Sequence, residues 1–237
     1  MTVRDMNLLL NTPPLNVYEH MALDETLVSL RPAQITLRFY RWTPGPAVTF
    51  GYAQNYRDVC RLAAARGIVQ NIVRRPTGGG VVFHTDDLTF SLVFSSALRP
   101  AEIYEKFHAC AQAQLAFAGQ TNTALEGRVA KSAYRPGSPT GASACFQNPV
   151  ENDVLNQSGE KILGGALRRF GTTLLYQGSL QVPGARENPR YKTALIAAVR
   201  QFFAQDLQPA AAQNTWLAQA QKLAAAQYQS AAWEEKF

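Results

Sequence analysis

The sequence predicts an α+β fold, a mostly antiparallel sheet flanked by helices, and three observations carry that prediction. Short alternating or continuous apolar runs recur between residues 35 and 182, amphipathic helical patterns lie before, among and after them, and no regular strand–helix–strand repeat of a parallel sheet is present. The chain has 237 residues, of which 46% are hydrophobic and 17% charged, which suits one globular domain with its own core and excludes wholesale disorder. Without an internal repeat or a linker, residues 1–237 are expected to form a single domain, with no accessory domain at the C-terminus.

From Asn16 to Leu30 the residues Val17, Met21, Leu23, Leu27 and Leu30 follow helical spacing, with Glu19, Asp24 and Glu25 between them. Ile35 to Trp42 alternates and Ala47 to Gly51 is apolar, so the two are expected to pair as antiparallel strands about Pro44-Gly45-Pro46. Asn55 to Arg66 reads as a short helix and Asn71 to Arg75 as a strand. Val81 to Phe83 and Leu88 to Phe94 read as a hairpin about Thr85-Asp86-Asp87, with both aspartates as turn residues. Ala101 to Ala118 is helical, and Gly127 to Ser143, rich in glycine and proline, is expected to be a long loop. Lys161 to Phe170 and Thr172 to Val182 pair across Gly171, and Pro189 to Phe203 and Asn214 to Ala232 complete the chain as Ala/Gln-rich helices. Leu37, Phe39, Val82, Phe90 and Leu92 are candidate sheet-core residues.

The net charge of +6 favours an acidic partner, but the basic residues are dispersed and form no tail, so nucleic acid is disfavoured. Aromatic residues such as Tyr52, Tyr56 and Tyr104 are not interleaved with basic ones as a single-strand groove needs. Three cysteines, Cys60, Cys110 and Cys145, without CxxC spacing argue against a disulfide framework and a zinc knuckle. No acidic pair suggests a metal cage, so no metal site is expected. With no signal-like start and no long apolar run, a cytoplasmic protein that does not enter a membrane is expected.

The sharpest local feature is Arg74-Arg75-Pro76-Thr77-Gly78-Gly79-Gly80-Val81-Val82-Phe83-His84. Three successive glycines let backbone approach a ligand closely and aim N–H groups at anionic oxygens, while the arginines add charge. Neither a Walker loop nor a dinucleotide fingerprint is present. This segment resembles the Arg-Arg-x-Ser/Thr-Gly-Gly-Gly-x-Val-x-His signature of the lipoate ligase, octanoyltransferase and biotin ligase superfamily. Met21-Ala-Leu-Asp-Glu25 resembles that family's first helix, Arg41-Trp42 and Phe50-Gly51-Tyr52 its opening strands, and Gly159-Glu-Lys-Ile-Leu-Gly164 its lysine strand. Gln177-Gly178-Ser179 resembles the element closing that hairpin, and Tyr228 with Trp233 the end of the catalytic domain.

The resemblance implies a biotin/lipoyl-attachment catalytic domain, of the class II synthetase-like kind, that attaches an acyl group to one lysine of a carrier domain. It makes Lys161 the essential lysine, polarising the acyl carbonyl or balancing the adenylate phosphate, and it places Arg74, Arg75, Thr77, Gly78, Gly79, Gly80, His84, Asp153, Gly164 and Ala166 around the substrate. Cys145, in Cys145-Phe-Gln-Asn-Pro149, resembles the nucleophile of the cysteine octanoyltransferases, which act on octanoyl-acyl carrier protein through a thioester and need no cofactor. An ammonium beside a thiol favours the thiolate, which makes that chemistry reasonable. Cys60 and Cys110 fall in helical apolar patterns and read as core.

Three features depart from the octanoyltransferase pattern: Asn152-Asp153 resembles lipoate ligases, the turn at Asn156-Gln157-Ser158 is longer by a residue, and Tyr176 stands where histidine is common. The alternative is therefore a lipoate ligase using ATP and magnesium, and a second alternative is a non-catalytic carrier-binding module on the same fold. A biotin ligase is less favoured, since its DNA-binding extension and glycine-loop wording are missing. The implied partners are octanoyl-acyl carrier protein and a lipoyl domain or the glycine cleavage H protein.

Overall fold

The computed structural model describes residues 7–118, 128–129 and 152–237. Two sheets are present among them. The larger holds β1 (Leu8–Asn11), β2 (Ile35–Phe39), β6 (Leu88–Ser95), β7 (Arg128–Val129), β8 (Val154–Leu155), β9 (Lys161–Phe170), β10 (Thr173–Leu180) and β11 (Gln208–Ala211), in the order β11-β1-β2-β6-β10-β9-β8-β7. Its strands from β2 to β7 pair antiparallel, and β1 pairs parallel with both β11 and β2. The smaller sheet holds β3 (Ala47–Phe50), β4 (Ile72–Arg74) and β5 (Val82–His84), in the order β4-β3-β5. The mostly antiparallel α+β architecture is as the sequence predicts.

Helices cover both faces of the large sheet. On one side α3 (Pro100–Ala118) and α4 (Pro189–Phe203) pack through Ile103, Phe107, Leu115, Leu195 and Val199 onto Leu37, Phe90, Leu92, Leu163 and Leu174. On the other, α1 (Val17–Leu30) and α5 (Asn214–Leu223) pack Met21, Leu23, Leu27, Trp216 and Ala220 against Leu8, Leu10, Val93 and Leu175. All eight residues of β10 are buried, as a strand covered on both faces requires. The helix α1 begins in a capping box, in which Asn16 accepts from the Glu19 backbone N–H and Glu19 accepts from that of Asn16. It ends at Arg31 in the left-handed region, at φ 47°. A short helix α2 (Tyr56–Ala64) covers the small sheet through Val59 and Ala63.

Two expected hairpins do not form. Ile35 to Trp42 and Ala47 to Gly51 belong to different sheets, because both edges of β2 are taken by β1 and β6 while β3 pairs with β4 and β5. Likewise β5 and β6 diverge into separate sheets across Thr85-Asp86-Asp87. Asp87 is 3% exposed and bonds inward, so it is a core residue and not a turn residue. The expected last helix is interrupted. A π-helical turn, Ala224–Tyr228, follows α5 and lets the buried Tyr228 hydroxyl donate to Glu25, and α6 (Ala231–Glu234) closes the chain. Within the expected loop 127–143, Arg128–Val129 is a strand. The rest of that loop, and Cys145, lie outside the described residues.

Candidate active site

Lys161 opens β9, where its side chain is 2% exposed and its ammonium lies 2.8 Å from Asp153 Oδ2. The lysine lies back along its own strand. A Cβ at Gly164 would sit 2.0 Å from Lys161 Cε and 2.5 Å from Nζ, so any side chain here would displace the end of the lysine from this place. The Gly-x-Lys-x-x-Gly spacing thus has a steric cause.

Asp153 is held from behind. His108 of α3, fully buried, donates from Nδ1 to the Asn152 carbonyl at 2.5 Å and accepts from the Tyr176 hydroxyl at Nε2, at 2.7 Å. Acceptance at Nε2 requires the neutral imidazole, and burial pulls its pKa down to about 4. The Asn152-Asp153 pair and Tyr176, departures in the sequence, therefore form one connected arrangement behind the lysine. His108 was not singled out from the sequence; its signal is a histidine on the inward face of an apolar helix.

A narrow cavity crosses the face of the large sheet, and one end of it is lined by Gly164, the glycine against which the Lys161 side chain lies. Gly164, Gly165, Ala166, Gln177, Gly178 and Ser179 line it from β9 and β10, and Thr89 from β6. Met21, Tyr40, Trp42, Thr49, Val82, His84, Arg75 and Gly79 complete it. Val82, expected in the sheet core, is thus a wall of the cavity. Gly79 reaches it from the glycine loop at φ +90°, and a Cβ on Gly51 would lie 1.9 Å from the Gly79 carbonyl oxygen, so the loop lies directly against the end of β3. Gly78 and Gly79 crest the loop and are exposed.

The two arginines before the loop have separate tasks. Arg74 points away from the cavity and donates to the carbonyls of Tyr52, Gln54, Trp233 and Glu234, at 2.5–2.8 Å, which ties the last helix to the small sheet. Its expected place beside a ligand is replaced by that tie, because its donors are engaged by backbone. Arg75 lines the cavity and folds the loop from within, donating to Gly78 and Gly80 carbonyls at 2.8 and 2.9 Å and to Thr49 Oγ1 at 2.7 Å. Thr77 is buried and donates to Gln177 Oε1 at 2.6 Å.

Two buried carboxylates organise the wall. Asp24, in α1, pairs with Arg38 Nε at 2.7 Å and accepts from Ser91 at 2.7 Å, from Gln177 at 2.8 Å and from the Tyr40 hydroxyl. Arg38 also donates to His20 Nδ1, whose Nε2 donates to the Arg41 carbonyl. Burial and the adjacent guanidinium hold that imidazole neutral, with its pKa well below the usual range. Asp87 accepts from His84, Thr89 and Ser179. The cost of its burial is outweighed by His84 and the two hydroxyls, which hold its pKa low. The sequence signal for Asp24 is an acid between Met21, Leu23 and Leu27; Asp87 has no such signal, being next to Asp86 in a polar stretch.

Cys60 and Cys110 are half-buried at the margins of two cores. No three His, Cys, Asp or Glu side chains among the described residues cluster as metal ligands, and none of those residues forms a helix long and apolar enough to cross a membrane.

Residues 16–219 match the family model of the lipoyl protein ligase A/B catalytic domain. An octanoyltransferase LipM of Symbiobacterium thermophilum is 32% identical over 166 residues, which cover 68% of this chain and 60% of that protein. One of Oceanobacillus iheyensis is 33% identical over 177 residues, 72% of this chain and 62% of the relative. The matched stretch thus spans less than two thirds of each relative's length. In fold, the chain is similar to a lipoate-protein ligase A solved with ATP, at TM-score 0.74 and 22% identity over 98% of each chain. It is also similar to a bipartite lipoate protein ligase from Thermoplasma acidophilum solved in a study of that enzyme and its E2 lipoyl domain, at TM-score 0.70 and 22% identity over 98% of this chain and 96% of that one. The family model, spanning most of the chain, shows that it belongs to the lipoyl protein ligase A/B catalytic domain family.

Proposed function

We propose that this protein is an acyltransferase of protein lipoylation, acting in the cytoplasm and moving an octanoyl or lipoyl group from acyl carrier protein to a lysine of a lipoyl domain or the glycine cleavage H protein. The observation that carries this reading is a buried ammonium, Lys161, lying against Gly164, which lines one end of a narrow cavity that runs across the strands. From β9 to the chain just after β2 the sheet covers three strand spacings, about 14 Å, a length suited to a medium-length acyl chain. The octanoyltransferase relatives support the choice of acyl group.

In the mechanism, the Cys145 thiolate attacks the thioester carbonyl of the acylated carrier, and the carrier's thiolate leaves and takes a proton. The acceptor lysine then attacks the Cys145 thioester as a free amine, an amide forms and the cysteine thiol is restored. Lys161 donates to the developing oxyanion, with Asp153 keeping it oriented, and Gly164 and Gly79 let the acyl carbon approach both strand and loop. Arg75, Thr77, Gly78, Gly80 and His84 shape the site around it. This route needs no cofactor.

The test is transfer from octanoyl-acyl carrier protein to an unmodified lipoyl domain without nucleotide, followed by the acceptor's mass. ATP-independent modification is expected. Modification that requires free lipoate, ATP and magnesium would replace this reading with a ligase, and carrier binding without modification would replace it with a non-catalytic module.

A further inference from the structure

Eight side chains that line the cavity carry polar atoms; Tyr40 and Gln177 bond to Asp24 and Arg75 to the glycine loop, which leaves Trp42, Thr49, His84, Thr89 and Ser179. Polar groups in the wall of a hydrocarbon site would favour water or a polar ligand end. Their hydrogen bonds run elsewhere. Ser179 donates to Asp87 Oδ2 at 2.6 Å, Thr89 donates to the same oxygen at 2.7 Å, and His84 Nδ1 lies 2.8 Å from it. The Trp42 indole N–H donates to Thr89 Oγ1 at 3.0 Å. Thr49 Oγ1 lies 2.8 Å from His84 Nε2 while receiving Arg75. A carboxylate only accepts, so His84 carries a proton on Nδ1, and with the neutral ring Thr49 donates to Nε2. Arg186, partly exposed, lies 3.5 Å from Asp87 Oδ1 and closes the far side.

We propose that Asp87 is a positioning residue that makes this wall apolar: by drawing the donors of His84, Thr89 and Ser179, and through them those of Trp42 and Thr49, it leaves ring faces and carbon atoms toward the cavity. It thereby sets selectivity for a saturated hydrocarbon end over a hydroxylated one. A low pKa, held by the same donors, keeps the acceptor ionised. This inference rests on the reading that the cavity takes the acyl chain.

The experiment is calorimetric binding of octanoyl-pantetheine and 8-hydroxyoctanoyl-pantetheine to the wild-type chain, Asp87→Leu and Asp87→Asn. The wild type prefers the octanoyl compound by about tenfold to a hundredfold, the cost of burying a hydroxyl without a partner. D87L frees the donors, which turn toward the cavity, and the preference falls to within about threefold through tighter binding of the hydroxylated compound. D87N keeps an acceptor and retains most of the preference. Failure of the wild type to bind either compound overturns the acyl-cavity reading and this inference with it. An unchanged preference in D87L overturns the inference alone. Should D87L not fold, the nitrogen-15 shifts of His84 in the wild type decide: a proton on Nδ1, with Nε2 as acceptor, is expected, and the opposite tautomer overturns the proposal.

Discussion

The two ends of the cavity are built from the same ingredients, a buried carboxylate and a nitrogen base, to opposite effect. At the Lys161 end, Asp153 pairs at 2.8 Å with the end of a long unbranched side chain that lies over a glycine. At the Trp42 end, Asp87 receives three donors at once, from two hydroxyls and a ring fixed between strands of both sheets. The difference teaches that burying charge does not by itself mark chemistry. Under the proposed mechanism, what separates the two pairs is the partner: one long side chain at Asp153, three converging donors at Asp87.

The largest effect expected from breaking that contrast is at Lys161. Lys161→Met should lower kcat for acyl transfer by about 10²–10³-fold, the worth of one oxyanion donor, and also destabilise the fold by removing the cation that faces the buried Asp153 carboxylate. Adding Asp153→Asn should restore thermal stability without restoring transfer, which separates the two consequences. Gly164→Ala sharpens the point. Its Cβ would overlap Lys161 Cε, and pushing the ammonium aside by about 1 Å should cost up to about a hundredfold in kcat, read in the same assay.

A smaller effect is expected in pH dependence. His108 and His20 are neutral in the fold with lowered pKa values, so the unfolded chain binds more protons below its ordinary pKa near 6.5. Stability should therefore be full above that value. It should fall by about 1.4 kcal/mol per pH unit per imidazole as pH drops toward 4, the folded value of His108. His108→Gln should remove one of the two contributions in urea titrations across this window. The smallest effect is reserved for an exposed pair: Arg61→Ala, which breaks the contact with Asp58 on α2, should change stability by no more than about 0.5 kcal/mol.

Most of the architecture was legible because the patterns are local. Lys161 to Phe170 and Pro189 to Phe203 coincide with the observed elements, since each shows its own periodicity. The strands Leu8–Asn11 and Gln208–Ala211 were not legible. Each is four residues long, the second is Gln-Pro-Ala-Ala, and both exist because they complete one parallel edge of the sheet. Pairing was misjudged for the same reason: Pro44-Gly45-Pro46 signals a turn but does not say which sheet the next strand joins. Around the site, the glycine loop and Lys161 were visible as motifs. Asp87, His108 and the inward role of Arg74 were not, because each depends on a partner far along the chain: Ser179, Tyr176 and Trp233.

The central claim is that acyl transfer passes through this chain itself, with Cys145 as the carrier of the group and Lys161 as its electrostatic support. The most direct measurement is the intact mass of the purified protein after incubation with octanoyl-acyl carrier protein and no ATP, beside Cys145→Ala and Lys161→Met. One octanoyl group on the wild type, absent from Cys145→Ala and greatly slowed in Lys161→Met, is predicted. An adduct that persists in Cys145→Ala, or none on the wild type while lipoyl-adenylate forms with ATP, would contradict it.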